Sequence, residues 1–574
     1  MHMITLNKNK YFLLSAFPML NLLFMHYFFY LDGLLEWTWA YSELINLCSV
    51  VFDVSVLLIF FLLIFVGRLK LALVLTQMVT LIWSFVNVMY GKFFAQYMSL
   101  SAINEVHSLG DELVINSVMS GFYWYDLYFL ISGIGFVIIY INLEPIRFQL
   151  IEVLKFVIIP VSSIIMTIVA YSVFHFVHPH YRNNWELFKF RTIEFLYDPV
   201  RGGTPNLAHF HTSSIRIAFY ELYDIFHITD LTMEEKKQIE SYYTDYSLRY
   251  TSHKRDQEVK NVIFILLESF LSSPIDLKVD GKEITPFLNS LKEEHDVYYN
   301  GNMISDITCG ESGDGQFIYM TGLLPLRYKM TVGSVKNNVL PALPIVLKGS
   351  LGINYSEIIS PTHPNLWQQS EMNKAYGIDN AYWLEDIVGN QSRPIDDNLI
   401  FKFASERLPS LKEPFFLLLL SLSTHSPYNR FFGQDILNTN NSIGYEYRNY
   451  LNSCHYLDEQ LSAYFKSLKD NGLYENSLII IGADHYAHLD MLNMIGKISN
   501  HTPLFIIHGG IDNEAWQGEF HQLDTYTTLL DLLGINTQWK GLGHTILSPL
   551  YKKSVDITAF KFSDLIIESN YFAR

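Results

Sequence analysis

Five apolar runs crowd the first third of the chain, near residues 12–31, 47–66, 70–90, 125–143 and 154–176. Each is long enough to cross a bilayer, which takes roughly 20 apolar residues per helix. In lipid a backbone must satisfy its own hydrogen bonds, so runs like these can only be helical. They predict a transmembrane domain over residues 1–176. The first run is too long, and too weakly followed by a small-residue cleavage site, for a removable signal peptide, so it is expected to remain as a helix. Lys8 and Lys10 precede the first run, Arg68 and Lys70 separate the second from the third, and Arg147 and Lys155 lie between the fourth and fifth. The alternate loops, DGLLEWTWAYSELIN and AINEVHSLGDELVIN, are mostly acidic. The bias of basic residues puts the N-terminus in the cytoplasm, and five crossings put everything after about residue 177 outside. Asp53 falls inside the second run; it is expected near the outer interface, reaching water.

Residues 177–258 read as a juxtamembrane helical connector, rich in aromatics and histidine (FHFVHPHYRNNWELFKF, then IAFYELYDIF). Amphipathic aromatic segments of this kind lie on membrane surfaces. The histidine spacing is irregular and does not suggest a metal site. Thr232 and Glu235 open a further helix, TMEEKKQIESYY, with a capping box. From 259 to 574 the texture changes. NVIFILL, PFFLLLLSL, SLIIIGA and TPLFIIH are apolar throughout, as strands buried on both faces are. Helical stretches such as YRNYLNSCHYLDEQLSAYFKSLKD alternate with them. That alternation predicts an α/β domain with a mostly parallel central sheet. A net charge of −17 argues against a nucleic-acid partner. Three cysteines, Cys48, Cys309 and Cys454, make no disulfide framework.

The polar residues that end the apolar runs carry the chemistry. NVIFILL ends in Glu268 and Ser269, PFFLLLLSLS in Thr424 and His425, and SLIIIGA in Asp484 and His485. Ligands of open parallel sheets bind beyond the carboxyl ends of the strands. Glu268, Asp484 and His485 offer two carboxylates and an imidazole, a set suited to Mn²⁺, Zn²⁺ or Mg²⁺. A hydroxyl beside such a cation becomes a nucleophile at neutral pH. The Gly-rich stretch ISDITCGESGDGQF, residues 304–317, offers Thr308, Cys309 and Ser312, and its composition alone leaves the choice among them open.

NVIFILLES, ISDITCGESGDGQF followed by LLPL, STHSPY and IIIGADH occur here in the order and spacing of the lipoteichoic acid synthases, which belong with the phosphoglycerol transferases in the sulfatase and alkaline phosphatase-like superfamily. ITPFLNSL, the Trp367 region, QLDTYTTLLDLLGI, NVMYGKFFAQYMSLS and the five-run N-terminus extend the resemblance over nearly the whole chain. It implies an extracytoplasmic sulfatase-like catalytic domain over 259–574. It also implies Ser312 as nucleophile in the family's Gly-x-Thr-x-Asp-x-x-Phe loop, with serine in place of threonine. The implied metal ligands are Glu268, Asp484 and His485, with Ser312 as the fourth; Mn²⁺ is the first choice, Mg²⁺ or Zn²⁺ the alternatives. His425, Trp367, Gln369 and His363 are expected around the headgroup, His425 as phosphate ligand or proton donor to the leaving alkoxide. The family's Trp-Asn-Arg becomes Trp367-Gln368-Gln369, so a charged bidentate clamp is missing, and Arg327 or Lys329 are candidates to replace it. Neither Cys309 nor Ser312 is followed by the Pro and Arg of a formylglycine motif, which sets a true sulfatase aside.

The expected activity is transfer of a phospho-headgroup, phosphoglycerol from phosphatidylglycerol first, to an extracytoplasmic glycan or glycolipid through a phosphoserine. The alternatives are phosphoethanolamine transfer, a metal-dependent phosphodiesterase or phosphatase, and an inactive sensor. His488, His501 and His521 are expected to be ordinary fold or loop histidines.

Overall fold

The structure, a computed structural model, describes residues 2–31, 42–94, 97–100, 115, 121–177, 209, 213–225, 231–244, 260–327, 329–389, 395–426, 428–437, 444–487, 499–511, 515–548 and 551–573. Most of the connector at 177–258, with its histidine cluster, and His488 lie outside these residues. The chain forms two compact units, one holding residues 1–102 and 118–227 and the other residues 103–117 and 228–574.

The first unit is helical. α1 (His2–Leu31), α2 (Ser42–Ile64), α3 (Leu69–Phe94), α4 (Leu127–Ile141) and α5 (Ile158–Val177) arise from the five apolar runs, the last preceded by the short helix Leu150–Lys155. Five spans in this unit are long and apolar enough to cross a membrane. Leu130, Ile131, Ile134 and Ile138 on α4, and Ile165 and Val169 on α5, are exposed; lipid, not water, is the solvent such a surface suits. Polar side chains tie the helices together. Ser132 donates to Asn21 Oδ1 at 2.7 Å, and Asn21 Nδ2 donates to Gln77 Oε1 at 3.1 Å, linking α4, α1 and α3. Interhelical hydrogen bonds of this kind are worth about 0.6–2 kcal/mol each. Asp53 on α2 does not reach water. It is fully buried and accepts a hydrogen bond from Ser213. Ser213 Oγ in turn accepts from Arg216 N at 2.8 Å, capping α6 (Ser214–Ile225). An intramembrane carboxylate is expensive to leave unpaired, and a donor within the unit meets that need.

In the second unit the helix Met233–Thr244 carries the expected capping box: Thr232 N donates to Glu235 and Glu235 N donates back to Thr232 Oγ1. The main body is an eight-stranded sheet of β1 (Asn261–Leu267), β2 (Val297–Ile304), β3 (Tyr355–Ile359), β4 (Asn380–Tyr382), β5 (Phe415–Leu420), β6 (Ser477–Ala483), β7 (Thr502–Ile507) and β8 (Phe520–His521). Their order is β8-β2-β7-β6-β1-β5-β3-β4. β7 runs antiparallel to both neighbours and every other pair is parallel. β1, β6 and β7 are buried along their whole length, which is why their sequences show no alternation. The helices used below are α7 (Ser312–Thr321), α8 (Gln369–Tyr376), α9 (Asp397–Arg407), α10 (Tyr445–Asp470), α11 (Asp524–Leu532) and α12 (Ile557–Glu568). α10 buries Leu451, Cys454, Leu457, Leu461, Phe465 and Leu468, the stripe of an amphipathic helix lying on a sheet. The register positions the site: Leu266 pairs with Leu420, and Leu267 with Ala483. Residues 268, 421 and 484 therefore leave three adjacent central strands at the same edge.

Candidate active site

At that edge Glu268, Asp484 and His485 come together, all buried, with one ligand atom of each within 4.8 Å of the others. Backbone and hydroxyl donors fix the carboxylates. Ser269 Oγ donates to Glu268 Oε1 at 2.6 Å, and the amides of Ser269 and His485 donate to Asp484 Oδ1 at 2.9 and 2.7 Å. Ser421 Oγ accepts from Glu268 N at 2.9 Å, tying the end of β5 to that of β1. His485 Nδ1 hydrogen-bonds the Tyr486 carbonyl at 2.8 Å, so Nδ1 carries the proton and Nε2 turns inward. Nε2 lies 3.5 Å from Glu268 Oε1 and 3.9 Å from Asp484 Oδ2.

Of the three candidate nucleophiles, the structure brings Ser312 to this group. Its Oγ lies 3.1 Å from Glu268 Oε2 and 3.3 Å from His485 Nε2. Thr308 is occupied elsewhere, bonding to Asp314 Oδ2 at 3.0 Å and the Leu326 carbonyl at 2.6 Å. Cys309 is buried with Sγ 3.4 Å from the Arg327 carbonyl, and none of the three cysteines is in a disulfide. Two backbone features seat Ser312. It opens α7, and Glu311 before it has φ 46° and ψ −123°. A side-chain-bearing residue in such a conformation costs on the order of 1–3 kcal/mol. One turn on, a Cβ at Gly315 would lie 2.2 Å from the Asp484 carbonyl oxygen, so only glycine lets α7 settle against the end of β6.

The electrostatics suit a bound cation. Burial pushes Asp484 up, and the negative charge of Glu268 pushes it further. Burial works the same way on Glu268, but His485 and His425 outweigh it and hold Glu268 low. Burial disfavours imidazolium at His485, yet Asp484, Glu268 and Glu311 together drive its pKa well above the usual histidine range. Burying carboxylates costs on the order of several kcal/mol per ion unless positive charge compensates. Two buried carboxylates and an inward-facing imidazole nitrogen fit a divalent metal both in donor chemistry and in charge.

A cavity opens beside Ser312, lined among others by Glu268, Gln316, Ser360, Thr362, Trp367, Gln369, Ser421, His425 and Asp484. Of the residues expected around a headgroup, His425, Trp367 and Gln369 line this cavity. No lysine or arginine is among the described residues lining it. Arg327 pairs with Asp564 at 3.1 Å and Lys329 with Glu568 at 3.9 Å, so both expected substitutes are engaged by α12. Gln369 lines the wall, but its amide is bound up with Gln316 in both directions, at 2.9 and 3.2 Å, and with Asn373 at 2.9 Å. His363 stands elsewhere. It is half-buried, with Nδ1 2.5 Å from Glu385 Oε1, and does not line the cavity, whereas its neighbour Thr362 does. His501 pairs with Glu519 and His521 with Asp306. Reading the sequence missed Glu311, Gln316 and Ser421. Only the proximity of Glu311 to Ser312 could have signalled any of them.

Residues 260–535 match the family model described as Sulfatase. Lipoteichoic acid synthase 2 of Bacillus subtilis (strain 168) is 28% identical over 515 residues, covering 84% of this chain and 74% of that protein. The lipoteichoic acid synthase of Staphylococcus aureus (strain USA300) is 26% identical over 490 residues, 79% of this chain and 71% of the relative. Among solved structures, the integral membrane lipooligosaccharide phosphoethanolamine transferase A of Neisseria meningitidis aligns with 96% of this chain and 98% of its own, with a TM-score of 0.54. At 15% identity that likeness speaks for the fold alone.

Proposed function

Residues 260–535 are a sulfatase-family domain on a chain with five membrane-length helices, and from that premise we propose a membrane-anchored transferase that moves a phospho-headgroup from a phospholipid to a glycan or glycolipid. Phosphoglycerol from phosphatidylglycerol is the first choice of headgroup, and Ser312 carries it between donor and acceptor. The likeness to lipoteichoic acid synthases supports the reaction class. The observation that carries the assignment to residues is the position of Ser312 Oγ, within 3.1 Å of Glu268 and 3.3 Å of His485. The basic loops of the first third support a cytoplasmic N-terminus and a catalytic unit outside the cell membrane.

Glu268, Asp484, His485 and Ser312 would hold one divalent cation, Mn²⁺ first, with Mg²⁺ or Zn²⁺ as alternatives. When bound, it lowers the pKa of the serine hydroxyl and stabilises negative charge on the phosphoryl oxygens. The donor headgroup enters the cavity beside Trp367. Ser312 Oγ, its proton directed at Glu268, attacks phosphorus. The bond from phosphorus to the diacylglycerol oxygen breaks, and His425 supplies the proton that oxygen needs. An acceptor hydroxyl then attacks the phosphoserine, giving its proton to His425; the bond from phosphorus to Ser312 Oγ breaks, and Glu268 returns the proton to that oxygen.

The test is diacylglycerol release by detergent-purified protein with Mn²⁺, from labelled phosphatidylglycerol and, in parallel, phosphatidylethanolamine. Release from phosphatidylglycerol, abolished in Ser312→Ala while metal content is largely retained, is expected. Release that survives in the variant removes Ser312 from the role. Release from phosphatidylethanolamine alone changes the headgroup, and release from neither overturns the donor.

A further inference from the structure

The loop that delivers Ser312 places a third carboxylate at the site. Glu311 is buried, and its Oε2 lies 3.6 Å from His485 Nδ1, on the side of the ring away from Glu268 and Ser312. Its backbone, at φ 46° and ψ −123°, is in a region that glycine enters freely and residues with a Cβ avoid. Glycines stand at 310 and 313, so this loop already uses the residue that would relieve the strain. At position 311 it carries a buried acid instead. Strain that persists beside reacting groups points to a use for the side chain that bears it.

We propose that Glu311 is a positioning residue for His485: its carboxylate faces the Nδ1 side of the imidazole beside the Tyr486 carbonyl that bonds the ring, its charge favours the orientation in which Nε2 points at Glu268, Asp484 and Ser312, and it adds negative charge to a centre that takes a divalent cation. The inference rests on the metal reading given above. Two acceptors, the Tyr486 carbonyl at 2.8 Å and the Glu311 carboxylate at 3.6 Å, then share the Nδ1 side. The carbonyl fixes the tautomer, and the carboxylate makes the ring a stronger electron donor through Nε2. Hydrogen-bonded partners of a ligating histidine are worth about 10–100-fold in metal affinity, and a buried carboxylate acting through charge alone at 3.6 Å is expected at the lower end of that range.

Two variants separate charge from backbone. Glu311→Gln keeps the shape and the strain but loses the charge. Glu311→Gly loses the charge and releases the strain. Mn²⁺ binding to the full chain in detergent is measured by calorimetry, alongside thermal unfolding of the metal-free protein. Glu268→Gln marks complete loss of a ligand. The expected result is binding weakened about tenfold or more in both variants, with the metal-free Tm of Glu311→Gly at or above wild type. Wild-type affinity in Glu311→Gln overturns the proposal, whatever glycine does. Where one variant has lost its fold, seen as a missing transition, the other decides; loss of fold in both makes Glu311 structural and overturns it too. Wild-type protein that takes up no Mn²⁺ removes the metal reading itself, an outcome distinct from equal binding by wild type and variants.

Discussion

The chemistry of the site turns on single atoms, and one of its most exacting positions is a hydrogen. A methyl at residue 315 would press within 2.2 Å of the Asp484 carbonyl, which is backbone and cannot swing aside. Gly315→Ala therefore pushes α7 off the end of β6 and moves Ser312 away from its neighbours. Overpacking of this kind costs about 1–3 kcal/mol. A lowered denaturation midpoint together with loss of Mn²⁺ uptake is expected; unchanged metal affinity would show that the loop adapts. At this scale the sequence was legible where polar residues terminate apolar runs. Glu268, His425, Asp484 and His485 each end one, and the structure gathers them at one edge of the sheet. It was illegible where a role depends on a partner far along the chain. Nothing near Gln369 indicates that its amide is locked to Gln316, 53 residues away. Glu311 adjoins Ser312 in sequence, but what sets it apart, a φ of 46°, is a backbone angle that no residue pattern shows.

Among elements, the join between α10 and the helix Pro286–Leu291 shows how the faces of the sheet are held. Asp458 of α10 accepts from the amides of Phe287 and Leu288, both at 2.8 Å, serving as a cap supplied from another element. Replacing it with alanine removes the cap and strands buried donors. A loss of about 2 kcal/mol is expected in urea unfolding, since caps contribute about 0.5–2 and unsatisfied buried groups about 1–3 kcal/mol. A loss below about 0.5 kcal/mol would mean that water takes over the cap. The long apolar strands and amphipathic α10 were readable from their periods, and the five membrane-length helices from their length. The short edge strand β8 was not, because two residues make no pattern. Nor was the reversed direction of β7, because a strand buried on both faces reads the same either way.

For the molecule as a whole, buried acids set a pH dependence. Burial raises Asp397 to about 6 and Asp458 to about 7, against the opposing effect of the amides that bond to them. A carboxyl whose folded pKa lies above its unfolded one favours folding most when protonated. That contribution is complete below the ordinary carboxylate range and fades as pH rises through 6 and 7. With metal chelated, the Tm of the full chain should fall between about pH 5 and pH 7.5, with Asp397 and Asp458 contributing alongside the similarly raised Asp314 and Asp484, and Asp397→Asn should reduce the slope of the profile. A profile of unchanged slope in that variant would show that Asp397 ionises normally.

The order of strands has a consequence for how the enzyme comes into being. β1 sits between β5 and β6, so the bonds that complete the site close loops of 153 residues, from Glu268 to Ser421, and 215 residues, from Ser269 to Asp484. Contacts this distant form slowly, because the entropy of loop closure is lost before pairing repays it. A chain emerging from synthesis can make its membrane helices early, but it lacks Asp484 and His485, two of the three candidate ligands gathered at the site, until residue 485 has emerged. Under the metal reading proposed above, cation uptake is therefore expected late in biogenesis. In a refolding experiment it should lag behind the appearance of secondary structure and coincide with the last phase of sheet closure.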